Sequence, residues 1–150
     1  MTESILNADG AKVSRMLPED VERARANCAL FWEMGSSDDQ LRGFLADAHN
    51  ILLLAEVERQ PVGQLVGYVL QRWDVEKPML FLFSMDVVAS HRRRGIGRQL
   101  IRRFQQIGLE TGCGSAFVVT NASNIPALRM YEALGGTRTN LDDVMFEWGL

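Results

Sequence analysis

Residues 85–100 read MDVVASHRRRGIGRQL, and this stretch predicts the end of a strand, a glycine turn and the start of a helix. The apolar run 79–88 is typical of a buried strand. Basic residues at positions 91–94 come next, and Gly95 and Gly97 lead into a helical pattern. Backbone N–H groups at such a turn, and in the first turn of a helix, surround an anion readily. The adjacent arginines indicate that the anion is a phosphate or a pyrophosphate.

The spacing of these glycines excludes two common phosphate-binding motifs. The dinucleotide fingerprint G-x-G-x-x-G requires a third glycine at the position that Leu100 occupies. The P-loop requires GxxxxGK followed by Ser or Thr, and this pattern does not occur in the chain. The pattern that remains is R-x-x-G-x-G, at Arg92, Gly95 and Gly97.

Composition narrows the classes of partner. The chain has 150 residues, which fits one domain, residues 1–150, with a sizeable core. Its net charge is −3, whereas nucleic-acid-binding domains are normally basic, so we expect a small anion and no nucleic acid. Cys28 and Cys113 are isolated and form no CxxC pair, which argues against a zinc site or a disulfide framework. No segment has the pattern of a membrane span or a signal peptide, so we expect a cytoplasmic protein.

The order of predicted elements indicates a mixed α/β sheet. The predicted strands are residues 13–17, 50–58, 62–70, 79–88 and 116–120, with a last pair near 136–139 and 144–148. The predicted helices are residues 18–34, 37–45, 95–111 and 126–134. Residues 1–12 are expected to be frayed. Gly63 and Gly67 in the predicted strand 62–70 indicate a bulge or the close approach of another backbone. The third helix has an apolar face made of Ile96, Leu100, Phe104 and Ile107.

Two motifs resemble a known family. Arg92, Gly95 and Gly97 match R/Q-x-x-G-x-G/A, the acyl-CoA signature of the GNAT N-acetyltransferase superfamily. The segment NIPALRMYEALGG is similar to that family's N-x-x-A-x-x-x-Y-E-x-x-G motif. Its matching residues are Asn124, Ala127, Tyr131, Glu132 and Gly135. Both motifs occur in the family's order, and the predicted elements follow that order as well.

The resemblance implies a fold and a cofactor. The fold would be a mixed, mostly antiparallel sheet with a splayed central strand pair, flanked by about four helices. The cofactor would be acetyl-CoA, its pantetheine arm lying along the backbone of Met85, Asp86 and Val87. Its pyrophosphate would bind at Arg92, Arg93, Arg94, Gly95, Ile96, Gly97 and Arg98, where the helix dipole favours negative charge. The amide near Val87 would polarise the thioester carbonyl.

The resemblance also implies roles for two residues of the second motif. Tyr131 would be the acid that protonates the departing thiolate, since a phenol with a pKa near 10 holds its proton at neutral pH. Asn124 would bind the pantetheine or the phosphate end of the cofactor. Other interpretations stand beside these: Tyr131 as a core tyrosine, Asn124 as a helix cap, and the arginine run as a solvated charge cluster.

Acetyl transfer to an amine requires a proton acceptor, because only the neutral amine attacks. Asp86 and Ser84 on the central strand are the nearest candidates to the expected cofactor gap. Other candidates are Glu33, Glu56, Glu147 and His49. Asp86 is equally interpreted as a structural carboxylate that accepts hydrogen bonds from neighbouring amides.

More narrowly, the chain is similar to small aminoglycoside 3-N-acetyltransferases. The similarity covers residues 52–94, including PVGQLVGYVLQRW, and also PALRMYEALGG and the ending DDVMFEW. Ser84 stands where those enzymes carry an aspartate, and Asp86 is an additional acid. The acids expected to border the acceptor cleft are Glu33, Asp38, Asp39, Asp142, Asp143 and Glu147, near Trp32, Trp73 or Trp148. Such a cluster suits an amino sugar or a polyamine.

We therefore expect an acetyl-CoA-dependent N-acetyltransferase that needs no metal. A primary amine of an aminoglycoside or another small polycationic amine would attack directly in a ternary complex, without a covalent acyl-enzyme. The alternatives are acetylation of a protein or peptide amine, and a non-catalytic acyl-CoA-binding module. Homodimers are common in the family, and the sequence does not decide this point.

Overall fold

The computed structural model describes residues 5–6, 10–140, 142 and 144–150. Its six described strands form one sheet in the order β1-β2-β3-β4-β5-β6, and all neighbours are antiparallel except β5 and β6. The strands are β1 (Ile5–Leu6), β2 (Ala11–Arg15), β3 (Asn50–Val57), β4 (Gln60–Leu70), β5 (Met79–Val87) and β6 (Ser115–Val118). The helices are α1 (Val21–Cys28), α2 (Asp38–Ala46), α3 (Ile96–Glu110) and α4 (Ile125–Ala133). The predicted mixed, mostly antiparallel sheet is confirmed.

The chain divides into two compact units, residues 1–119 and residues 120–150. The first unit holds the whole sheet with α1, α2 and α3, and the second holds α4 and the C-terminal segment. Among the described helices, none is long and apolar enough to cross a membrane.

Two glycines of β4 allow α3 to pack closely against the sheet. A Cβ atom at Gly67 would overlap the Phe104 ring and lie 2.7 Å from the Phe81 carbonyl oxygen. A Cβ atom at Gly63 would lie 3.3 Å from Ile96 Cγ2. The register of β4 with β5 shifts between Val66 and Gly67, so the predicted bulge is confirmed there. The atoms that crowd both glycines are side chains of α3 and carbonyl oxygens of β5. The predicted apolar face of this helix is buried as well, at Ile96, Leu100, Phe104 and Ile107.

Strand β6 pairs along its whole length with only the first part of β5. Their parallel register begins at Met79 with Ser115 and ends at Leu82 with Val118, whereas β5 continues to Val87. In the described chain, the far end of β5 has no partner on the β6 side, so backbone groups there remain available to a ligand. This is the separation of central strands that the sequence resemblance implies.

A second hydrophobic cluster fills the face of the sheet opposite α3. It consists of Met16, Ala24, Cys28, Leu45, Leu52 and Leu54. Ser37 caps the start of helix α2. Its Oγ accepts a hydrogen bond from the Gln40 amide at 3.2 Å, and the Gln40 side chain accepts one from the Ser37 amide at 2.9 Å. This reciprocal pair satisfies amides that the first turn of a helix leaves free.

The first helix and the N-terminus differ from the sequence prediction. Helix α1 ends at Cys28 rather than at Met34, because the amides of Phe31 and Trp32 both bond to the Cys28 carbonyl and the chain turns there. Ile5 and Leu6 pair with β2, so the expectation of a frayed start is wrong at those positions.

The predicted final strand pair is also wrong in the part of the chain that the structure describes. Residues 136–140 and 144–150 contain no strand, and Val144, Met145, Phe146 and Trp148 are each more than 70% exposed. A strand needs a neighbouring backbone for its N–H and C=O groups, and the described residues of the second unit contain no other strand. The apolar composition suggested strands, but composition alone does not supply a partner.

The central strand β5 was predicted to be covered on both faces, and only one face is. Leu80 and Leu82 are buried, whereas Phe83 is 52% exposed and Asp86 is exposed. The exposed face of β5 is part of the candidate active site.

The contact at Gly67 yields a stability prediction. Gly67→Ala should lower the free energy of unfolding by about 1–3 kcal/mol or more, because the added methyl group has no space between α3 and β5. Gly43→Ala is the matched control: Gly43 lies exposed within α2 with nothing within 4 Å of an added Cβ, so this change should stabilise by about 0.5–1 kcal/mol. Urea unfolding measures both. Equal effects of the two changes would contradict the packing described here.

Candidate active site

The loop between β5 and α3 has a backbone conformation suited to an anion. Gly95 lies just before α3 with φ +80°, and Arg93 has φ +63°. Left-handed residues of this kind turn successive N–H groups to one side of the loop. Arg92 Nε donates to the Val87 carbonyl oxygen at 3.0 Å and so connects the loop to the end of β5.

The amides of this loop have no acceptor among the residues that the structure describes. In the described residues, no hydrogen bond is made by the consecutive backbone N–H groups from Arg93 to Arg98, and the first bonded amide is that of Gln99, to the Gly95 carbonyl. Arg93, Arg94 and Arg98 are exposed and have no carboxylate partner among the described side chains. Free amides at a helix start, flanked by arginine side chains, fit a pyrophosphate.

The predicted strand residues Met85, Asp86 and Val87 lie at the end of β5, next to this loop. In the described chain, no hydrogen bond reaches the exposed Asp86 carboxylate, so the interpretation of Asp86 as a hydrogen-bonded structural carboxylate is wrong. Ser84 shares its face of the strand, since side chains alternate along β5. The Ser84 hydroxyl is buried and has no hydrogen-bond partner in the described chain.

Gln64 on β4 is a residue that the sequence analysis missed. It is the cross-strand neighbour of Asp86, and its side chain is fully buried. Within the described part of the chain, neither its amide oxygen nor its amide nitrogen has a hydrogen-bond partner. Unpaired buried polar atoms are costly and rare, and they frequently mark a functional position. The signal was present as one polar residue inside the apolar run VGQLVG.

Two of the other candidate bases are engaged elsewhere. Glu56 accepts from Arg23 Nε at 3.0 Å, in a bidentate ion pair. His49 lies 3.0 Å from the Asp47 carboxylate through Nδ1, and hydrogen bonds from His49 hold the pKa of Asp47 below its usual value.

A cavity of about 440 Å³ opens between the bend after α1, helix α2 and strands β3, β4 and β5. Its walls are mainly apolar and include the aromatic residues Trp32, Phe44, Tyr68 and Phe83. Of the described residues that line it, Glu33 is the one acidic residue. Glu33, which the sequence analysis expected near the acceptor, therefore lies at a cavity. The sequence analysis had named Trp32 but not the other aromatic residues of this cavity.

The second unit holds the other motif, on and around α4. Asn124 caps this helix, with its side-chain oxygen accepting from the Ala127 amide at 3.3 Å. The helix ends with Gly135 at φ +87°, and the Gly136 amide bonds to the Tyr131 carbonyl at 2.9 Å. Partial burial raises the pKa of the Tyr131 phenol. The interpretation of Asn124 as a cap is confirmed, and Tyr131 is half-buried rather than a core residue.

The predicted C-terminal acids lie in the same unit. Asp142 and Glu147 are exposed, and the Asp142 amide donates to the Asn140 side chain at 3.0 Å. Asp143 lies outside the described residues. Trp73 and Trp148 are 98% and 78% exposed, so neither is enclosed in an acceptor site among the described residues.

Comparison with known proteins agrees with this geometry. A family model described as the acetyltransferase (GNAT) family matches residues 18–136. A streptothricin acetyltransferase from Streptomyces lavendulae is 27% identical over 85 residues, which are 57% of this chain and 45% of that protein. The chain spans less than half the length of the curated relatives it matches.

Solved structures are similar over nearly the whole chain. An aminoglycoside acetyltransferase from an uncultured soil metagenomic sample, in complex with trehalose, superposes with a TM-score of 0.81 at 26% identity, covering 93% of this chain and 96% of that one. An aminoglycoside N-acetyltransferase in complex with CoA has a TM-score of 0.76 at 22% identity, over 97% and 98% of the chains, and shows the same fold. Because the family model covers most of the sequence, including both motifs, the chain belongs to the GNAT acetyltransferase family.

Proposed function

We propose that this chain transfers an acetyl group from acetyl-CoA to a primary amine of a small molecule. The observation that carries the proposal is the run of free amides from Arg93 to Arg98 at the start of α3. Membership of the GNAT family supports it, as does the likeness to a structure that contains CoA. We further propose that residues 1–150 act together as one N-acetyltransferase domain in the cytoplasm.

Each cofactor-binding residue has a specific part in this proposal. The backbone of Met85 and Val87, on the unpaired side of β5, would hold the pantetheine arm. The amides from Arg93 to Arg98, with the side chains of Arg92, Arg93, Arg94 and Arg98, would hold the pyrophosphate. Asn124 would bind the cofactor through its amide nitrogen, because its oxygen already caps α4. When bound, acetyl-CoA supplies an activated acetyl group and a thiolate leaving group.

Two residues of the chain would move protons. Asp86, exposed at the end of β5 and free of hydrogen bonds among the described residues, would take the proton of the amine. Tyr131 would donate its phenolic proton to the departing sulfur, and its raised pKa keeps that proton in place at neutral pH. Ser84 and Gln64 would orient the amine or the water next to Asp86, since their buried polar atoms have no other partner.

The likeness to aminoglycoside acetyltransferases makes aminoglycosides the first class of acceptor to test. The streptothricin acetyltransferase relative favours the same choice of an amine-bearing antibiotic. Glu33, Asp142, Asp143 and Glu147 remain proposed contacts for such a cationic acceptor. A screen with thiol detection over aminoglycosides, polyamines and peptide amines tests the proposal. CoA binding without turnover on any amine would indicate a non-catalytic acyl-CoA-binding module instead.

Removal of the proposed acid gives a kinetic prediction. Tyr131→Phe should lower kcat by about 100-fold or more, with a much smaller effect on KM for acetyl-CoA, because the phenolic proton is used only as the thiolate forms. Arg129→Gln, an exposed change on the same helix, is the control and should leave kcat within about twofold. If Tyr131→Phe retained full kcat at every pH, Tyr131 would not be the acid.

The raised pKa of Tyr131 gives a prediction about pH. Tyr131 and Tyr68 are the two tyrosines of the chain, so a Tyr68→Phe variant isolates the titration of Tyr131. Ultraviolet titration of tyrosinate should give a midpoint above about 10. Since the unfolded chain releases this proton first, the free energy of unfolding should be unaffected below pH ~10 and should fall as pH rises through the folded pKa. A midpoint at or below 10 would contradict the burial of the phenol.

A further inference from the structure

The cavity of the first unit has a continuous aromatic wall. Trp32 stacks on Phe83 with centroids 6.4 Å apart and planes at 19°. Tyr68 meets Phe83 edge to face at 5.9 Å, and Phe44 meets Tyr68 edge to face at 6.0 Å. Trp32 and Phe83 still keep 42% and 52% of their surface exposed. Exposed aromatic faces that surround a concave space indicate a binding site for an apolar group.

Among the described residues that line this cavity, the one unpaired carboxylate is that of Glu33. Asp38 and Asp39 follow Glu33 closely in the sequence, but Asp38 pairs with Arg25, and Arg42 Nη1 lies 2.9 Å from the Asp39 carboxylate. In the described residues, no basic side chain pairs with Glu33. A single carboxylate beside aromatic faces matches one ammonium group, which both the Coulomb attraction and the ring quadrupoles favour.

The aromatic wall continues directly into the polar residues of the strands. Val66 lines the cavity and is the cross-strand partner of Ser84, and Phe83 precedes Ser84 on β5. Asp86 lies two residues further along the same face. A ring held in the cavity and joined to an amine by a short chain would therefore extend its nitrogen along this face toward Asp86.

We propose that the cavity is an acceptor subsite for an aromatic or alicyclic ring, so that arylalkyl primary monoamines are acetylated by this chain. The inference rests on the proposed acetyl transfer and adds a class of acceptor to it. The ring packs against the exposed surfaces of Trp32 and Phe83, and Glu33 attracts the ammonium form into the cavity. The bound ammonium first releases one proton to water, and the neutral nitrogen then bonds to the acetyl carbon as the carbon–sulfur bond breaks. Asp86 takes the proton from nitrogen, and the departing sulfur receives the proton of Tyr131.

Binding is tested without acetyl-CoA, through the fluorescence of Trp32. The chain has three tryptophans, and Trp73→Phe with Trp148→Phe leaves Trp32 alone. 2-Phenylethylamine should change Trp32 emission saturably. Phe83→Ala should raise Kd about tenfold, and Phe83→Leu, which keeps most of the apolar volume, should raise it less. Glu33→Gln should raise Kd for 2-phenylethylamine about two- to fivefold and leave Kd for 2-phenylethanol unchanged, because the alcohol has no charge.

Catalysis is tested with matched amines on the complete chain. Phe83→Ala should lower kcat/KM for 2-phenylethylamine about tenfold, while kcat/KM for ethanolamine, which has no ring, should change less than twofold. Acetylation of aminoglycosides together with no Trp32 response and no acetylation of arylalkylamines would overturn the subsite and leave the proposed transferase standing. A saturable Trp32 response without acetylation of any amine would instead overturn the proposed function while the binding site stands. Equal losses for both matched amines would also overturn the subsite, since the effect would not depend on the ring.

Discussion

The close packing of α3 against β4 is the constraint on which the rest of the candidate site depends. Gly63 and Gly67 lack side chains at the two points where the helix touches the strand. Gly63 is also the cross-strand partner of Val87, so the same contact brings the start of α3 to the end of β5. The connecting loop is then short, and the bond from Arg92 to the Val87 carbonyl closes it. A helix held further from the sheet would carry its free amides away from the strand end.

The sheet places different chemistry on the two sides of β5. One side carries the helix start, where free amides and arginines create a strongly electropositive loop. The other carries a polar row of Gln64, Ser84 and Asp86 that runs into an aromatic cavity. Between them, β5 extends beyond the end of β6 and leaves backbone groups unpaired. In the proposed transfer, an activated acyl donor and an amine would approach one strand from opposite sides and would be held close together.

Local patterns in the sequence were sufficient to predict the local structure around the proposed cofactor loop. The apolar stripe of α3, the glycines of β4 and the glycine turn all lie within short stretches of chain, and each is confirmed in the structure. The acceptor side depends on contacts between distant residues. Trp32, Phe44, Tyr68 and Phe83 form one wall, although no short motif joins them. The number of acidic residues in the sequence was also a poor guide to the charge of the acceptor side, because several of these acids form ion pairs. Asp38 and Asp39 pair with arginines of α1 and α2, and the candidate base Glu56 pairs with Arg23. The apolar C-terminal run shows the same limit, because a strand depends on a partner that sequence composition does not specify.

The central claim is that the loop at the start of α3 binds the pyrophosphate of CoA. Isothermal titration of the complete chain with CoA and with pantetheine, which lacks the pyrophosphate and the nucleotide, tests it most directly. The structure predicts that CoA binds at least tenfold more tightly than pantetheine, and that added salt reduces this difference because the loop attracts the phosphates through charge. Equal affinities for the two ligands at low salt would contradict the assignment of this loop.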